Sequence, residues 1–402
     1  MPNCMICGGE IVCGGEIDAI CDTMEHLFPQ SIGGRKGVTG FIHRGCNSKA
    51  GATWDAMLAT QLQPLCLMFD IARQGGKTAP LRVVTTADEH LTIGPGGRLR
   101  WTMPIFEKTT TSDGKTAYEV NARDMGEARR ILQGLQRKHP EINVDAALAQ
   151  AKLQECYAQG AVHHDLGFGG EVSGRSIIKS CLAMAFASGV DWSLCEHAVR
   201  YMRDATAEPC FGYYQERDLV TGRTPHMPLH CLAVRADPAT GLILGYAEYF
   251  GIHRIVACLG KSYTGSLIEG CYALDPRDGS TQQVGVALSF SQSDIDDIYA
   301  YRRVTPDSMK ATAAAIIGPE MKLQHEAEQR RVVSREVDKA FDACGAQPGE
   351  RLTQEYLAEI ARSVVEGVMP FLAHSMQPMA PMLNRSPSRA QRGGRKVPKR
   401  GE

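Results

Sequence analysis

Apolar positions along this chain change period several times, and the changes mark its elements. From Leu81 to Val120, β-branched and aromatic residues are interrupted by Gly94-Pro95-Gly96-Gly97 and Asp113-Gly114, the pattern of short antiparallel strands joined by turns. Two amphipathic helices are expected next, one from a cap at Asn121 toward Lys138 and one from Asn143 toward Tyr157, with Pro140 between them. Residues 174–187, GRSIIKSCLAMAFA, have few polar positions and read as a buried helix. That helix should pack on residues 228–286, where the runs LHCLAVRA, GLILGYAEYF, HRIVACLG and SLIEGCYAL are separated by Gly, Pro and Asp, as in a strand meander. Residues 292–375 return to helical periodicity. The fold class read from this order is α+β, with mixed helical and antiparallel-sheet regions.

The N-terminal stretch differs from all of this. It is dense in Cys, His and Gly up to about Gln63, and closes with a helical run expected to stop near Pro64. The transitions divide the chain into residues 1–66, a compact cysteine-rich module; 67–160, strands then helices; 161–290, an α+β domain with antiparallel strands; 291–384, a helical region; and 385–402, a tail. That tail, with Arg385, Arg389, Arg392, Arg395, Lys396, Lys399 and Arg400 and almost no core-forming residue, is expected to be disordered. It could raise affinity for polyanions or simply solubilise the chain.

Composition narrows the class only a little. With 402 residues, 43% hydrophobic and 22% charged, the chain has the make-up of globular protein and is too long for one core. Lys plus Arg (44) and Asp plus Glu (45) nearly cancel, so any affinity for nucleic acid must be local. No apolar run approaches the roughly 18 residues that span a bilayer, and no secretory segment is read at the start. Fourteen scattered cysteines then point to a reducing, cytoplasmic setting, where a close CxxC pair is a metal clip or redox site rather than part of a disulfide framework.

The cysteine spacing carries the chemistry. Cys4-x-x-Cys7 and His43-x-x-Cys46 form two knuckles of thiolate and imidazole, the ligand set tetrahedral zinc prefers. A set of Cys7, Cys13, Cys21 and Cys46 competes with it, but the paired two-residue gaps favour the first. In a module of about 60 residues, structural zinc contributing on the order of 10 kcal/mol would be necessary for folding. Between the knuckles stand Glu25-His26, Pro29 and Gly33-Gly34, and Asn47 follows the second knuckle at a helix start.

This order, Glu25-His26-x-x-Pro29 with Gly33-Gly34 and a knuckle ending Cys46-Asn47, resembles the HNH endonuclease family over residues 4 to about 62. The resemblance implies a ββα-metal fold stapled by zinc, with one catalytic divalent ion and nuclease activity. Phosphodiester hydrolysis needs a deprotonated water and charge neutralisation at the phosphoryl oxygens. His26 is then the general base, and Glu25 and Asn47 offer hard oxygens suited to Mg²⁺ or Mn²⁺. Asp55, farther along the same helix, is read as a solvated or capping acid in preference to a metal ligand. Arg35, Lys36, Arg44 and Lys49 are either phosphate contacts or ordinary exposed charge.

Two departures from the family pattern stand out. His43 replaces a usual Cys ligand, which zinc accepts. The middle Asn, which braces the base in the family, falls near Gly40, leaving Thr39, Gln30 or Ser31 to take its place. The expected partner is nucleic acid, DNA ahead of RNA, with no membrane and a homodimer as the candidate assembly for paired cuts. Alternative readings are a catalytically silent zinc-knuckle nucleic-acid-binding protein, or a nuclease effector in a bacterial or phage defence system. His163-His164-Asp165, the loop Gly167-Phe168-Gly169-Gly170, and His226, His230 and His253 are assigned no chemistry, the histidines reading as core or edge residues.

Overall fold

The computed structural model describes residues 2–12, 19–73, 76–110, 114, 116–152, 157–164, 167–347 and 349–376. Cys13, Asp165 and the basic tail lie outside the described residues. Chain order begins with a hairpin, β1 (Glu25–His26) and β2 (Gly37–Val38), followed by α1 (Arg44–Ala50) and α2 (Ala56–Met68). Strands β3 (Leu81–Val84), β4 (His90–Ile93), β5 (Leu99–Trp101), β6 (Ile105–Thr110) and β7 (Thr116–Asn121) come next, then helices α3 (Met125–Gln136), α4 (Val144–Ala149), α5 (Glu171–Ala187) and α6 (Glu196–Arg203). Strands β8 (Phe211–Tyr213), β9 (Val220–Thr221), β10 (His230–Asp237), β11 (Leu242–Tyr249), β12 (His253–Gly260), β13 (Ile268–Leu274), β14 (Thr281–Gln282) and β15 (Gly285–Val286) precede helices α7 (Gln292–Tyr299), α8 (Pro306–Ala343) and α9 (Gln354–Ser375). The chain is α+β, and every strand pair between these elements is antiparallel.

Two compact units emerge. The larger comprises Met1–Val84, His90–Lys152 and His164–Glu328; the smaller comprises Thr85–Glu89, Leu153–His163 and Gln329–Glu402. At the centre of the larger is a six-stranded sheet in the order β14-β13-β10-β11-β12-β8. All eight positions of β11 and all eight of β12 are buried. That explains why their sequences are near-continuous apolar runs: both faces of the sheet are covered, so no alternation is demanded.

Helix α5 covers one face. Its Ile177, Ile178 and Cys181 share a core with Leu232, Val234, Ile243 and Ile255 of the sheet. The same core takes in Leu27, Phe28, Ile32, Phe41, Ile42, Leu58 and Leu62, so the N-terminal module is built onto the helix-covered face of the sheet. Phe28 is the anchor, stacked at 5.0 Å on His230 and set edge-on at 5.6 Å to Tyr249. Leu219, Val220, Leu229, Leu288, Phe290, Ile295 and Ile298 cover the other face.

Three local outcomes depart from the sequence reading. The helical run does not stop at Pro64, which lies inside α2. A mid-helix proline costs ~3 kcal/mol, but Leu62, Leu65, Cys66 and Leu67 are buried around it, and each large apolar side chain can return ~1.5–3 kcal/mol. Asp124, rather than Asn121, caps α3 by accepting from Glu127 N, while Asn121 ends β7. Asn143 does cap its helix by accepting from Ala146 N, but α4 ends at Ala149.

In the smaller unit, Thr85 bridges Val162, and the Glu89 carboxylate accepts from Gln159 N and Gly160 N. Tyr157 stacks on His374 of α9 at 4.9 Å.

Candidate metal centre and adjoining polar site

The two knuckles come together. Sγ of Cys4, Cys7 and Cys46 and a ring nitrogen of His43 all lie within 4.8 Å of one another, close enough for one metal ion to be held by the four. Cys7 Sγ and His43 Nδ1 are 3.2 Å apart. The other ring nitrogen, Nε2, donates to Glu10 O at 2.8 Å, which fixes the tautomer and leaves the Nδ1 lone pair for a metal. His43 N also donates to Cys4 Sγ at 3.4 Å. Burial opposes ionisation of Cys7, yet the Gly9 N–H and the neighbouring Cys4, Cys46 and His43 side chains bring its pKa down to about 7. Burial and the adjacent thiols push Cys46 up to about 12. Such a cluster is crowded while it holds protons and relaxed once a cation replaces them. Cys21 is not one of the four.

Arg203 of α6 holds the first knuckle from behind. Its guanidinium donates to Met5 O from Nη2 at 2.8 Å and from Nε at 3.0 Å, and it lies over the Trp192 ring. Sequence reasoning did not single this residue out.

Beside the cluster, the hairpin presents Glu25 and His26, paired across to Val38 and Gly37. The glycines of the motif have steric reasons. A Cβ at Gly34 would fall 1.8 Å from Phe28 O, and Gly33 sits at φ +99°. Gly40, where the family's middle Asn was sought, has φ +75° and donates its N–H to Asp22 Oδ1 at 2.8 Å. The brace on the histidine comes instead from Gln30, whose side-chain amide lies 2.8 Å from His26 Nε2. His26 is half-buried, and burial together with the nearby Lys179 charge lowers its pKa below the usual value of 6.5.

Asn47, in α1, donates from Nδ2 to Met24 O at 3.2 Å and also hydrogen-bonds the Glu25 carboxylate. Glu25 and Asn47 thus meet, while His26, next to Glu25 in β1, turns its ring to Gln30. Arg44 and Lys49, on the same helix, are exposed, as is Lys36, while Arg35 is half-buried.

Asp55 corrects the sequence reading: it stands just before α2 without making a capping side-chain bond, and its carboxylate is mostly buried. Its Oδ1 accepts from Ser176 Oγ at 2.5 Å, and its Oδ2 lies 2.7 Å from Lys179 Nζ. Eight residues of ideal α-helix would carry Asp55 ~80° around the axis from Asn47. Gly51–Asp55 forms a π-helical turn, however, whose greater number of residues per turn takes back part of that rotation.

Lys179 was missed altogether. It is fully buried on α5, and the same ammonium reaches Glu25 Oε1 at 2.8 Å. Burial by itself would lower its pKa, but Glu25 and Asp55 together hold it above the ordinary lysine value. Burial pushes Glu25 up, an effect that Lys179 opposes. The signal was present in the sequence: one lysine inside an otherwise apolar helix needs a buried counter-charge.

His230 and His253 are core residues. His230 donates from Nε2 to Ile32 O at 2.9 Å and accepts from Phe250 N at Nδ1, while His253 stacks on Phe168. His226 lies on the surface with Nδ1 2.8 Å from Ala315 O.

Comparison with family models, curated proteins and solved structures found no match to this chain. Among the described residues, no helix is long and apolar enough to cross a membrane.

Proposed function

We propose that this chain is a metal-dependent HNH-type endonuclease that hydrolyses phosphodiester bonds of DNA, with zinc held by Cys4, Cys7, His43 and Cys46. The observation that supports the reading is the contact of Glu25, in the hairpin beside His26, with Asn47 in the helix that also carries Cys46 of the Cys₃His cluster. Glu25 and Asn47 would hold Mg²⁺ or Mn²⁺, since a carboxylate and an amide oxygen are hard donors and the Asn47 nitrogen is already committed. The ion, when bound, neutralises charge on the phosphoryl group and the leaving 3′ oxygen.

The chain's own residues do the rest. His26, kept neutral near pH 7 by burial and by Lys179, accepts a proton from the attacking water. The Gln30 amide donates from its Nε2 to His26 Nε2, so that ring nitrogen carries the lone pair and Nδ1 the proton. Arg44, Lys49 and Lys36 supply exposed positive charge for backbone phosphates.

The test is incubation of the zinc-loaded chain with supercoiled plasmid and, separately, with single-stranded RNA, in Mg²⁺, Mn²⁺ or EDTA. Nicking of plasmid that EDTA abolishes supports the proposal. Binding of either nucleic acid without cleavage in any metal would replace it with a silent zinc-knuckle binder.

A further inference from the structure

We propose that Lys179 is a built-in cation that balances Glu25 and Asp55, so that the site takes a single divalent ion and Asp55 stays outside its coordination shell. The inference rests on the nuclease reading above and concerns the same site.

The geometry assigns each charge a partner. Lys179 Nζ is fully buried and lies at hydrogen-bond distance from both Glu25 Oε1 (2.8 Å) and Asp55 Oδ2 (2.7 Å). The remaining Asp55 oxygen takes the Ser176 hydroxyl, one turn earlier on the same helix. Both Asp55 oxygens are therefore engaged from α5. Glu25 gives one oxygen to Lys179 and also meets Asn47.

Charge counting agrees with the geometry. Two carboxylates and one ammonium leave a single negative charge, and one divalent ion turns that into a single positive charge facing a phosphodiester. Two carboxylates alone would invite a second ion, as in sites where two metals stand ~3.5–4 Å apart. Here the ammonium already fills the space between the acids. It also arrives from α5, outside the cysteine-rich module, so the module's acids depend on the rest of the larger unit for their charge balance.

Mn²⁺ titration of the zinc-loaded full chain, followed by electron paramagnetic resonance, tests this. The native chain should bind one Mn²⁺. Lys179→Met leaves the buried Glu25 and the part-buried Asp55 unbalanced, and should bind Mn²⁺ at least about tenfold more tightly or take a second ion. The charge-neutral double variant Asp55→Asn, Lys179→Met should return to one ion, within about threefold of native affinity. A folded Lys179→Met that binds Mn²⁺ no more tightly than native overturns the proposal. So does loss of Mn²⁺ from the double variant, because Asp55 would then be a ligand. If the single variant does not fold, the double variant decides. A native chain that binds no Mn²⁺ overturns the nuclease reading itself, a different failure from either of these.

Discussion

As the general base of the proposed nuclease, His26 has to be basic enough to take a proton from water yet neutral at the pH where it works. Burial and the Lys179 charge move its pKa below 6.5, and the Gln30 amide fixes the ring at Nε2. A base must be deprotonated to act, so cleavage should rise with pH through a limb lying below pH 6.5 and be flat by pH 7. Gln30→Ala should lower the plateau by about 10²-fold, the effect of an ångström of misplacement, with zinc content unchanged. A pH–rate profile of both proteins measures this; an acid limb above pH 7, or a plateau unaffected by Gln30→Ala, goes against it. The four candidate metal ligands were legible because each pair is local and the two-residue gap is itself the chemical signal. Gln30 was one of three candidates, and only side-chain reach separated it from Thr39 and Ser31. Lys179 was not legible, because its partners are more than 120 residues away in the chain.

Among the elements, β10 and β12 carry the histidines that couple the sheet to acid. In neutral form His230 satisfies both ring nitrogens, donating to Ile32 O and accepting from Phe250 N–H, so a second ring proton would face a donor. Burial pushes both His230 and His253 down to about 4 from 6.5. Their folded pKa lies below the unfolded one, so the unfolded chain binds protons first, and stability present above pH 6.5 is lost as pH falls toward 4. Each contributes about 1.4 kcal/mol per pH unit in that window. Urea melts at pH 7, 6 and 5 should show the decline, and His253→Phe should roughly halve it; an unchanged slope contradicts this assignment. The strands themselves were readable from apolar runs between turn residues. The course of α2 through Pro64 was not, because core burial outweighs the local penalty. Nor was the π-helical turn at Gly51–Asp55, which no residue type announces.

At the scale of the whole molecule, the N-terminal module shares one hydrophobic core with α5 and the six-stranded sheet, and Arg203 and Lys179 reach into it from the helices. The antiparallel α+β class followed from the order of periodicities, but this sharing did not, because a hydrophobic pattern names a buried face without naming what covers it. Zinc should accordingly stabilise the knuckles most strongly, by about 10 kcal/mol. Stripping it with a strong chelator should expose residues 2–50 to protease within minutes while the strands from β10 to β13 stay protected in hydrogen exchange. Equal protection of the knuckles with and without zinc would show that the metal is dispensable for folding.

The claim on which the account depends is that this arrangement cuts DNA through His26. The most direct measurement compares native protein and His26→Ala, each shown to carry one zinc, in single-turnover nicking of supercoiled plasmid with Mg²⁺ or Mn²⁺ at pH 7.5. Loss of a general base predicts a rate lower by ~10²- to 10⁴-fold in the variant. Equal rates for the two proteins would contradict it.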